Sequence, residues 1–420
     1  MSKGWETMTD PVTGKEIVFV NNRMEDFNIK SPSFSQDYNL NYSGGNDKGH
    51  YYAGLGYNKS EGNAIGNYNR RLSFLLNVDY KIKSWLTTIS KFNFSTTKYK
   101  GISPFTGEEN YFSRNFSYPP TFRAYNNNGE LILGKNSGDG NQQFLANAWD
   151  NDENRQKFMF SQDFKIKPFE DLTINFKGDW FYEFYNFERF YRTYQTAPGQ
   201  FNRSHNSSAQ TQRNLTQTYN ILFNYNKTFG DHSLSALLGW EYFHSKYGML
   251  SGSGYNPNNN YFRDLQYTIT EEGARQLDSS HSKFITESYF MRLNYDYQAK
   301  YIASFTVRRD GISKLGQDNR WGIFPGLSLG WVFTKEDFMK KYPWLSFGKL
   351  RTSFGRNGNV NENWVGNYTI QGAFAQSLYN GSQAFTLSSI PNYFLTWETS
   401  RTFEVGVDLD FLSNKLQMGL

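Results

Sequence analysis

Acidic side chains are the residues of this chain that could most readily perform chemistry, because several alternate with apolar residues along segments typical of β-strands. Two carboxyl groups facing each other across a β-protein can serve as the acid and the base of a glycosidase. The candidates are Glu183, Glu241, Glu404 and Asp408. Spacing alone brings no two of them to the required separation, and carboxylates of this kind also line hydrated lumens. We therefore predict no catalytic site and no enzymatic activity.

Histidines and acidic residues do not form an obvious metal site. The five histidines lack ligand spacing and are scattered at His50, His205, His232, His244 and His281. Asp150, Asp152 and Asn154 match the first ligand positions of a calcium loop, but Arg155 replaces the required Gly and Ser161 replaces the bidentate Glu. We interpret this stretch as a solvated acidic loop, with loop-bound calcium as the less favoured alternative, and expect no cofactor and no metal.

One short motif, G-x-S-x-G, occurs at residues 326–330 around Ser328. A nucleophile elbow needs a strand before the serine and a helix directly after it. Here Trp331, Val332 and Phe333 follow and are expected to continue a strand. We interpret the motif as a chance match.

Aromatic residues in predicted loops are candidates for ligand contact, because they can stack on sugar rings or peptides. They are Tyr111, Phe112, Trp149, Tyr255, Tyr261 and Trp364. The favoured alternative is that they pack on one another, so no ligand-binding residue is assigned.

The segments that carry these residues alternate with a period of two. The apolar face of one segment consists of Leu172, Ile174, Phe176, Trp180, Tyr182 and Phe184, and that of another of Tyr289, Met291, Leu293, Tyr295 and Tyr297. The opposite faces carry full charges. About fourteen such segments occur, each with one apolar and one polar face.

Short and long connections alternate between these segments. Tight turns are predicted near residues 44–47, 81–85, 168–171, 229–231, 299–301 and 412–415, and long loops at 99–154, 193–214, 245–282 and 357–394. An up-and-down barrel in a bacterial outer membrane has short turns on one side and long loops on the other. The remaining connection, 334–342, is predicted to be a short helix with Thr334 as its N-cap.

The amino-acid composition limits the classes of protein to which this chain can belong. Of 420 residues, 19% are aromatic, yet the mean hydropathy is −0.71, which fits one apolar band in an otherwise wet protein. A soluble secreted β-sandwich that binds or cleaves glycans is the alternative. A net charge of +5 is too weak to indicate nucleic acid, and the absence of cysteine rules out disulfides. No apolar run of transmembrane-helix length and no signal peptide is found, so we expect a fragment of an exported protein.

Residues 289–331 resemble the SusC/RagA-like TonB-dependent transporters of Bacteroidetes. The likeness lies in Arg-Leu-Asn-Tyr at 292–295, Arg-Arg-Asp-Gly at 308–311, Asn-Arg-Trp-Gly at 319–322 and Gly-Trp at 330–331. It continues through Trp397-Glu398 and residues 404–408, and more loosely through residues 38–56. Leu315 stands where the family often has Phe.

The resemblance implies an all-β, antiparallel up-and-down transmembrane β-barrel, incomplete, with about fourteen strands of a larger barrel. Residues 1–420 would form a partial barrel domain without the family's plug domain. The intact protein would reside in the bacterial outer membrane and import glycans, oligosaccharides or peptides. It would act with a SusD-like surface lipoprotein and with TonB, which engages a region upstream of this chain. A passive barrel or adhesin remains an alternative.

Overall fold

The computed structural model contains one dominant antiparallel sheet of fourteen strands. It describes residues 6–19, 23–101, 112, 115–116, 118, 124–125, 128–132, 141, 149–192, 194–197, 200–202, 206–255, 260–361, 364–412 and 415–419. Strands that follow one another in the chain pair along nearly the whole sheet. The predicted all-β, up-and-down architecture with about fourteen strands is therefore confirmed.

The strands in the described residues differ widely in length. In chain order they are β1 (Glu6–Thr9), β2 (Glu16–Phe19), β3 (Ser35–Asn46), β4 (Gly49–Glu61), β5 (Tyr68–Lys83), β6 (Leu86–Lys100), β7 (Trp149–Phe169), β8 (Leu172–Tyr191), β9 (Tyr194–Ala197), β10 (Gln200–Asn202), β11 (Asn206–Phe229), β12 (His232–Tyr255), β13 (Arg275–Tyr297), β14 (Tyr301–Ile312), β15 (Trp321–Trp331), β16 (Leu345–Asn359), β17 (Ala373–Tyr379), β18 (Ser382–Ser389), β19 (Glu398–Phe411) and β20 (Leu416–Gly419).

The large sheet runs from β3 to β20, and three small hairpins are set apart from it. These hairpins pair β1 with β2, β9 with β10, and β17 with β18. The helices are α1 (Met24–Asn28) and the 3₁₀ helices η1 (Leu265–Tyr267), η2 (Phe333–Lys335), η3 (Asp337–Lys341) and η4 (Thr369–Gln371). In the described residues, the helices are thus short and confined to the connections between strands.

The alternation of tight turns and longer connections is confirmed in the described residues. Turns of two or three residues join β3 to β4, β5 to β6, β7 to β8, β11 to β12 and β13 to β14. The predicted turn at 412–415 joins β19 to β20, and residues 413–414 lie outside the described residues. All of these connections lie at one end of the sheet, here called the short-turn end.

The predicted long loops were partly wrong, because several of their residues extend the strands. β7 begins at Trp149, β11 at Asn206 and β13 at Arg275, while β12 continues to Tyr255. β11 and β12 stay in register over their full lengths. Beyond the apolar band both faces of these strands are polar, so the alternation that marks a strand in the sequence disappears although the backbone pairing continues.

Side chains sort onto two faces that run unbroken across neighbouring strands. One row of the apolar face consists of Leu76, Phe92, Phe160 and Trp180 in direct register. The adjacent row of the polar face consists of Asn77, Lys91, Ser161, Asp179 and Thr218. All fourteen strands lie in a single sheet, and the described residues provide no second large sheet to cover the apolar face. The alternative of a β-sandwich is therefore wrong.

Aromatic rings line both borders of the apolar face. At the short-turn end the contacts are Tyr42–Tyr51, Phe229–His232, His232–Tyr297, Tyr297–Tyr301 and Trp344–Phe411. Toward the other end they are Tyr38–Tyr57, Trp180–Tyr219, Tyr219–Tyr242 and Tyr289–Trp321. Two such girdles are typical of a sheet whose apolar face meets a membrane.

The connection between β15 and β16 contains helical turns, as predicted, but its cap differs from the prediction. Two 3₁₀ helices, η2 and η3, replace a single helix, and neither has a side-chain N-cap bond. Thr334 lies inside η2, and its hydroxyl group bonds the backbone of Gly348, accepting from the amide at 3.0 Å. This hydroxyl therefore ties the connection to β16 instead of capping a helix.

In the same connection, the carboxylate of Glu336 accepts hydrogen bonds from three side chains. One carboxylate oxygen accepts hydrogen bonds from the Tyr301 hydroxyl (2.6 Å) and the Trp331 indole (3.0 Å). The other accepts from the Lys300 ammonium at 3.1 Å. These hydrogen bonds lower the pKa of Glu336 to about 2. The charged carboxylate thus holds the start of β14 against the end of β15.

We predict that Glu336→Gln lowers the thermal stability of the protein, because the amide loses the negative charge that these donors share. The folded-state pKa lies below the ordinary value of 4.5, so the contribution is complete above that pH and is lost as the pH falls toward 2. Thermal unfolding at about pH 7 should show a lower midpoint for the variant, and at about pH 3 the gap should narrow.

Asp337→Asn is the matched control, because its carboxylate is 93% exposed and, among the described residues, forms an ion pair with Lys340 alone, in the same helix. A control as destabilised as Glu336→Gln, or a gap independent of pH, would contradict the role of Glu336.

Candidate functional site

The polar face brings carboxylates and cations together across neighbouring strands. Each of the four predicted carboxylates lies on a strand, as predicted: one on β8, one on β12 and two on β19. Three of them have a cationic partner on the polar face. The ion pairs are Glu183–Lys157 (3.3 Å), Glu241–Arg308 (3.4 Å) and Asp408–Arg351 (3.3 Å).

These carboxylates are too far apart to act as a catalytic pair. Glu183 is in register with Asn214 of β11, and Glu241 with Asn220, an offset of roughly 20 Å along the strands. Glu404 and Asp408 are four residues apart on β19, or roughly 13 Å. A glycosidase needs its two carboxyl groups within ~10 Å. The arrangement instead provides a charged surface on which three of these four carboxylates are paired with cations.

A network of side chains on the polar face centres on Arg308 of β14. Its guanidinium donates to Asp310 (2.6 Å), to the Ser288 hydroxyl (2.8 Å) and to Glu241 (3.4 Å). It also lies 5.1 Å from the ring centre of Phe290. Four groups from three strands thus hold one guanidinium, which nevertheless stays 43% exposed to the polar side.

A cavity of about 580 Å³ adjoins this network. Its lining includes Arg292, Arg308, Asp310, Phe324 and Asn357. The Phe324 ring packs edge-on against Trp397 at 5.2 Å and lies over Gly358, where it leaves no room for a side chain. Charged side chains beside two aromatic rings, Phe290 and Phe324, suit reversible binding of polar molecules.

The sequence did not single out Arg308, Ser288 or Asp310 as site residues. The available signal was the spacing of Arg308 and Asp310, which places both side chains on the same face of one strand. Their partners on β12 and β13 depend on strand register, which is a non-local property.

The residues interpreted as an acidic loop lie instead on β7, which is a correction. Asp150 pairs with Arg192 and with Arg263, the latter at 2.9 Å. Asp152 and Asn154 follow along the same face of this strand. The segment was misassigned because its carboxylates interrupt the apolar alternation, while its backbone pairs regularly with β8.

The histidines remain dispersed. His50 contacts Asp79 (3.2 Å), His232 the Tyr295 hydroxyl (2.7 Å) and His244 the Gln217 side chain (3.2 Å). His281 is exposed on β13, and His205 lies outside the described residues. Within the described ranges no three His, Asp or Glu side chains gather as metal ligands.

Ser328 of the G-x-S-x-G motif lies in the interior of β15, and the strand continues to Trp331. This is the strand context predicted for a chance match. The expectation that Val332 and Phe333 also continue the strand was wrong, because Phe333 begins η2. Ser328 is in register with Ser304 and Ser353 on the polar face.

The predicted loop aromatics divide into covered and accessible rings. Trp149 was misassigned to a loop: it opens β7, is 4% exposed and stacks on Tyr191. Tyr255 ends β12, where its hydroxyl donates to the Gly273 carbonyl. Tyr261 and Trp364 are 87% and 80% exposed.

Phe112 is half-buried, and Tyr111 lies outside the described residues.

None of the helices in the described part of the chain is both long and apolar enough to cross a bilayer.

Comparisons with known proteins agree with this geometry. The family model described as TonB dependent receptor-like, beta-barrel, matches residues 89–420. TonB-dependent receptor P39 of Formosa agariphila is 25% identical over 93% of this chain and 37% of its own length. TonB-dependent receptor SusC of Bacteroides thetaiotaomicron is 32% identical over 50% of this chain and 21% of its own length.

Solved structures share the fold. The RagAB peptide transporter superposes with a TM-score of 0.76 at 20% identity, covering 95% of this chain and 44% of the transporter chain. The RagAB peptide importer in its open-open state gives 0.74 at 20% identity, covering 92% and 43%. This chain spans about two fifths of the length of its broadest curated matches.

These findings confirm the resemblance to SusC and RagA-type proteins. They assign the sheet to the bacterial outer membrane, where the apolar face meets lipid and the polar face meets a hydrated lumen. The chain belongs to the TonB-dependent receptor family and contributes β-strands of its outer-membrane barrel.

Proposed function

We propose that residues 1–420 form part of the barrel domain of an importer for glycans, oligosaccharides or peptides. The observation that supports this proposal is the polar face, on which ion pairs such as Glu183–Lys157, Glu241–Arg308 and Asp408–Arg351 join neighbouring strands and a cavity of about 580 Å³ adjoins Arg308. A lumen that carries both positive and negative side chains can contact polar solutes and release them again. Passage then depends on binding and gating, with no covalent step and no enzymatic activity.

The proposed energy source is TonB, in keeping with the names of the curated relatives. RagAB is named as a peptide transporter, which supports peptides as one substrate class. Glycans and oligosaccharides are the other substrate classes that the family resemblance described above implies. A passive barrel or adhesin would need no such coupling.

We predict that uptake by cells carrying this receptor stops when TonB is deleted. Transport of a labelled oligosaccharide mixture and of a labelled peptide mixture should each be measured in matched strains with and without TonB. Loss of uptake for at least one mixture supports energised import. Equal uptake in both strains would show a passive pore and overturn the proposal.

A second prediction concerns the lumen. Arg308→Gln should reduce uptake several-fold, because it leaves Asp310 and Glu241 without their shared cation beside the cavity. Arg309→Gln is the matched control: Arg309 is the next residue, faces the opposite side of the sheet and lies 4.5 Å from the Trp321 ring centre. Equal losses in the two variants, at equal receptor abundance, would remove Arg308 from the transport path.

The proposed partner is a SusD-like lipoprotein on the long-loop side, and the hairpin of β17 and β18 offers it a contact. Register places one apolar set on a single face of this hairpin: Phe374, Leu378, Phe385 and Leu387. These side chains are between 51% and 75% exposed. Exposed apolar clusters of this kind mark protein interaction sites.

We predict that the double variant Phe374→Ser and Phe385→Ser loses co-purification with the lipoprotein while the barrel still assembles. Tyr379→Ser is the control, since Tyr379 is 79% exposed but on the other face of the hairpin. Assembly can be checked by heat-dependent migration in SDS gels. Retained co-purification in the double variant would exclude this hairpin from the interface.

A further inference from the structure

Cations gather on the lipid-facing side of the sheet, at the border away from the short turns. Lys59 of β4, Arg70 of β5 and Lys98 of β6 lie side by side in direct register. We call these three residues the first basic cluster. Like charges placed directly opposite each other destabilise a strand pair unless something neutralises them.

A second basic cluster occurs on β11, β12 and β13. Lys246 is in direct register with Lys283, and Arg213 is in register with Gly248, one row farther from the short-turn end. His244 shares this face two positions before Lys246, and its buried Nε2 atom has no hydrogen-bond partner within the described residues. Three strands thus repeat the arrangement found on β4, β5 and β6.

Among the described residues, a carboxylate pairs with only one of these six cations. Lys59 pairs with Glu61 at 3.0 Å. The other five side chains are exposed and form no ion pair with any described residue. Glu287, which shares the face of the second cluster, instead accepts hydrogen bonds from Trp240 and Tyr289.

The height of both clusters matches the headgroup layer. Ten residues of β5 separate Tyr80 from Arg70, a rise of ~25 Å at ~3.3 Å per residue and a tilt of ~40°, which is the height of the apolar band of a membrane barrel. Lys246 lies four residues beyond Tyr242 of the aromatic border, or ~10 Å higher. Long basic side chains at this depth reach lipid headgroups.

We propose that the two basic clusters bind phosphate groups of lipids in the leaflet on the long-loop side of the membrane. The ammonium and guanidinium groups supply the positive charge that phosphate requires. Bound phosphates would neutralise the opposed cations on β5 and β6 and on β12 and β13. This site lies outside the lumen and does not depend on the proposed import function.

The test uses the purified receptor in neutral detergent and the quadruple variant Arg70→Gln, Lys98→Gln, Lys246→Gln and Lys283→Gln. The probe is a mixed micelle containing phosphatidylglycerol, followed by the rise in unfolding midpoint with lipid concentration. We expect the variant to need at least ~tenfold more lipid than the wild type for the same rise.

Four lysines in the connections at the short-turn end of the sheet provide the charge-matched control. They are Lys48, Lys335, Lys340 and Lys341, each replaced by Gln. This control should respond to lipid as the wild type does. Inorganic phosphate at the same phosphate concentration should not raise the midpoint of any variant.

Three results would overturn the proposal: an unchanged lipid response in the quadruple variant, an equal loss in the control, or equal stabilisation by inorganic phosphate, which would identify a free-anion site instead. If the quadruple variant does not assemble, Lys98→Gln with Lys246→Gln removes one cation from each cluster. That double variant should shift the lipid response in the same direction, and an unshifted response counts against the proposal.

Discussion

A sheet that leaves one apolar face without a protein cover depends on hydrocarbon to cover it. Inside a bilayer every backbone polar group must find a partner within the protein, which only a helix or a continuous ladder of strands provides. Neighbouring strands meet this requirement by pairing across the sheet, over ladders as long as the one between β11 and β12, although β15 and β16 pair over only six residues each. This strand pairing produces the apolar row that begins at Leu76 and the polar row that begins at Asn77, because successive side chains of a strand point alternately to lipid and to water.

Much of this fold could be predicted from the sequence, because period-two alternation is a local signal. The predicted faces of β8 and β13 and most tight turns were right. Alternation fails where neither face meets lipid, and there the strand ends were misplaced: β12 continues to Tyr255 and β13 begins at Arg275. Asp150 was assigned to a loop for the same reason. Threonine commonly caps helices, but the hydroxyl of Thr334 instead accepts a hydrogen bond from the backbone amide of Gly348 on β16.

The site was less predictable than the fold, because its chemistry is set by contacts between strands. Sequence marked Glu241 and Asp408 as polar-face carboxylates but could not indicate that each meets a cation from another strand. Those partners change the function that the carboxylates suggest. Two facing acids without cationic partners would favour hydrolysis, whereas Glu241 and Asp408 are each paired with an arginine of another strand, Arg308 and Arg351.

Apart from the four-residue β20, strand length varies about twofold across the large sheet, from 11 residues in β15 and 12 in β3 and β14 to 24 in β11 and β12. Because the short turns all lie at one end of the sheet, the difference in strand length appears at the opposite end. That end of the sheet is high at β11 and β12 and low at β3 and β14. The rim that these strands form is therefore slanted. A large molecule can approach it obliquely over the low side, while the strands of the high side limit its movement across the rim.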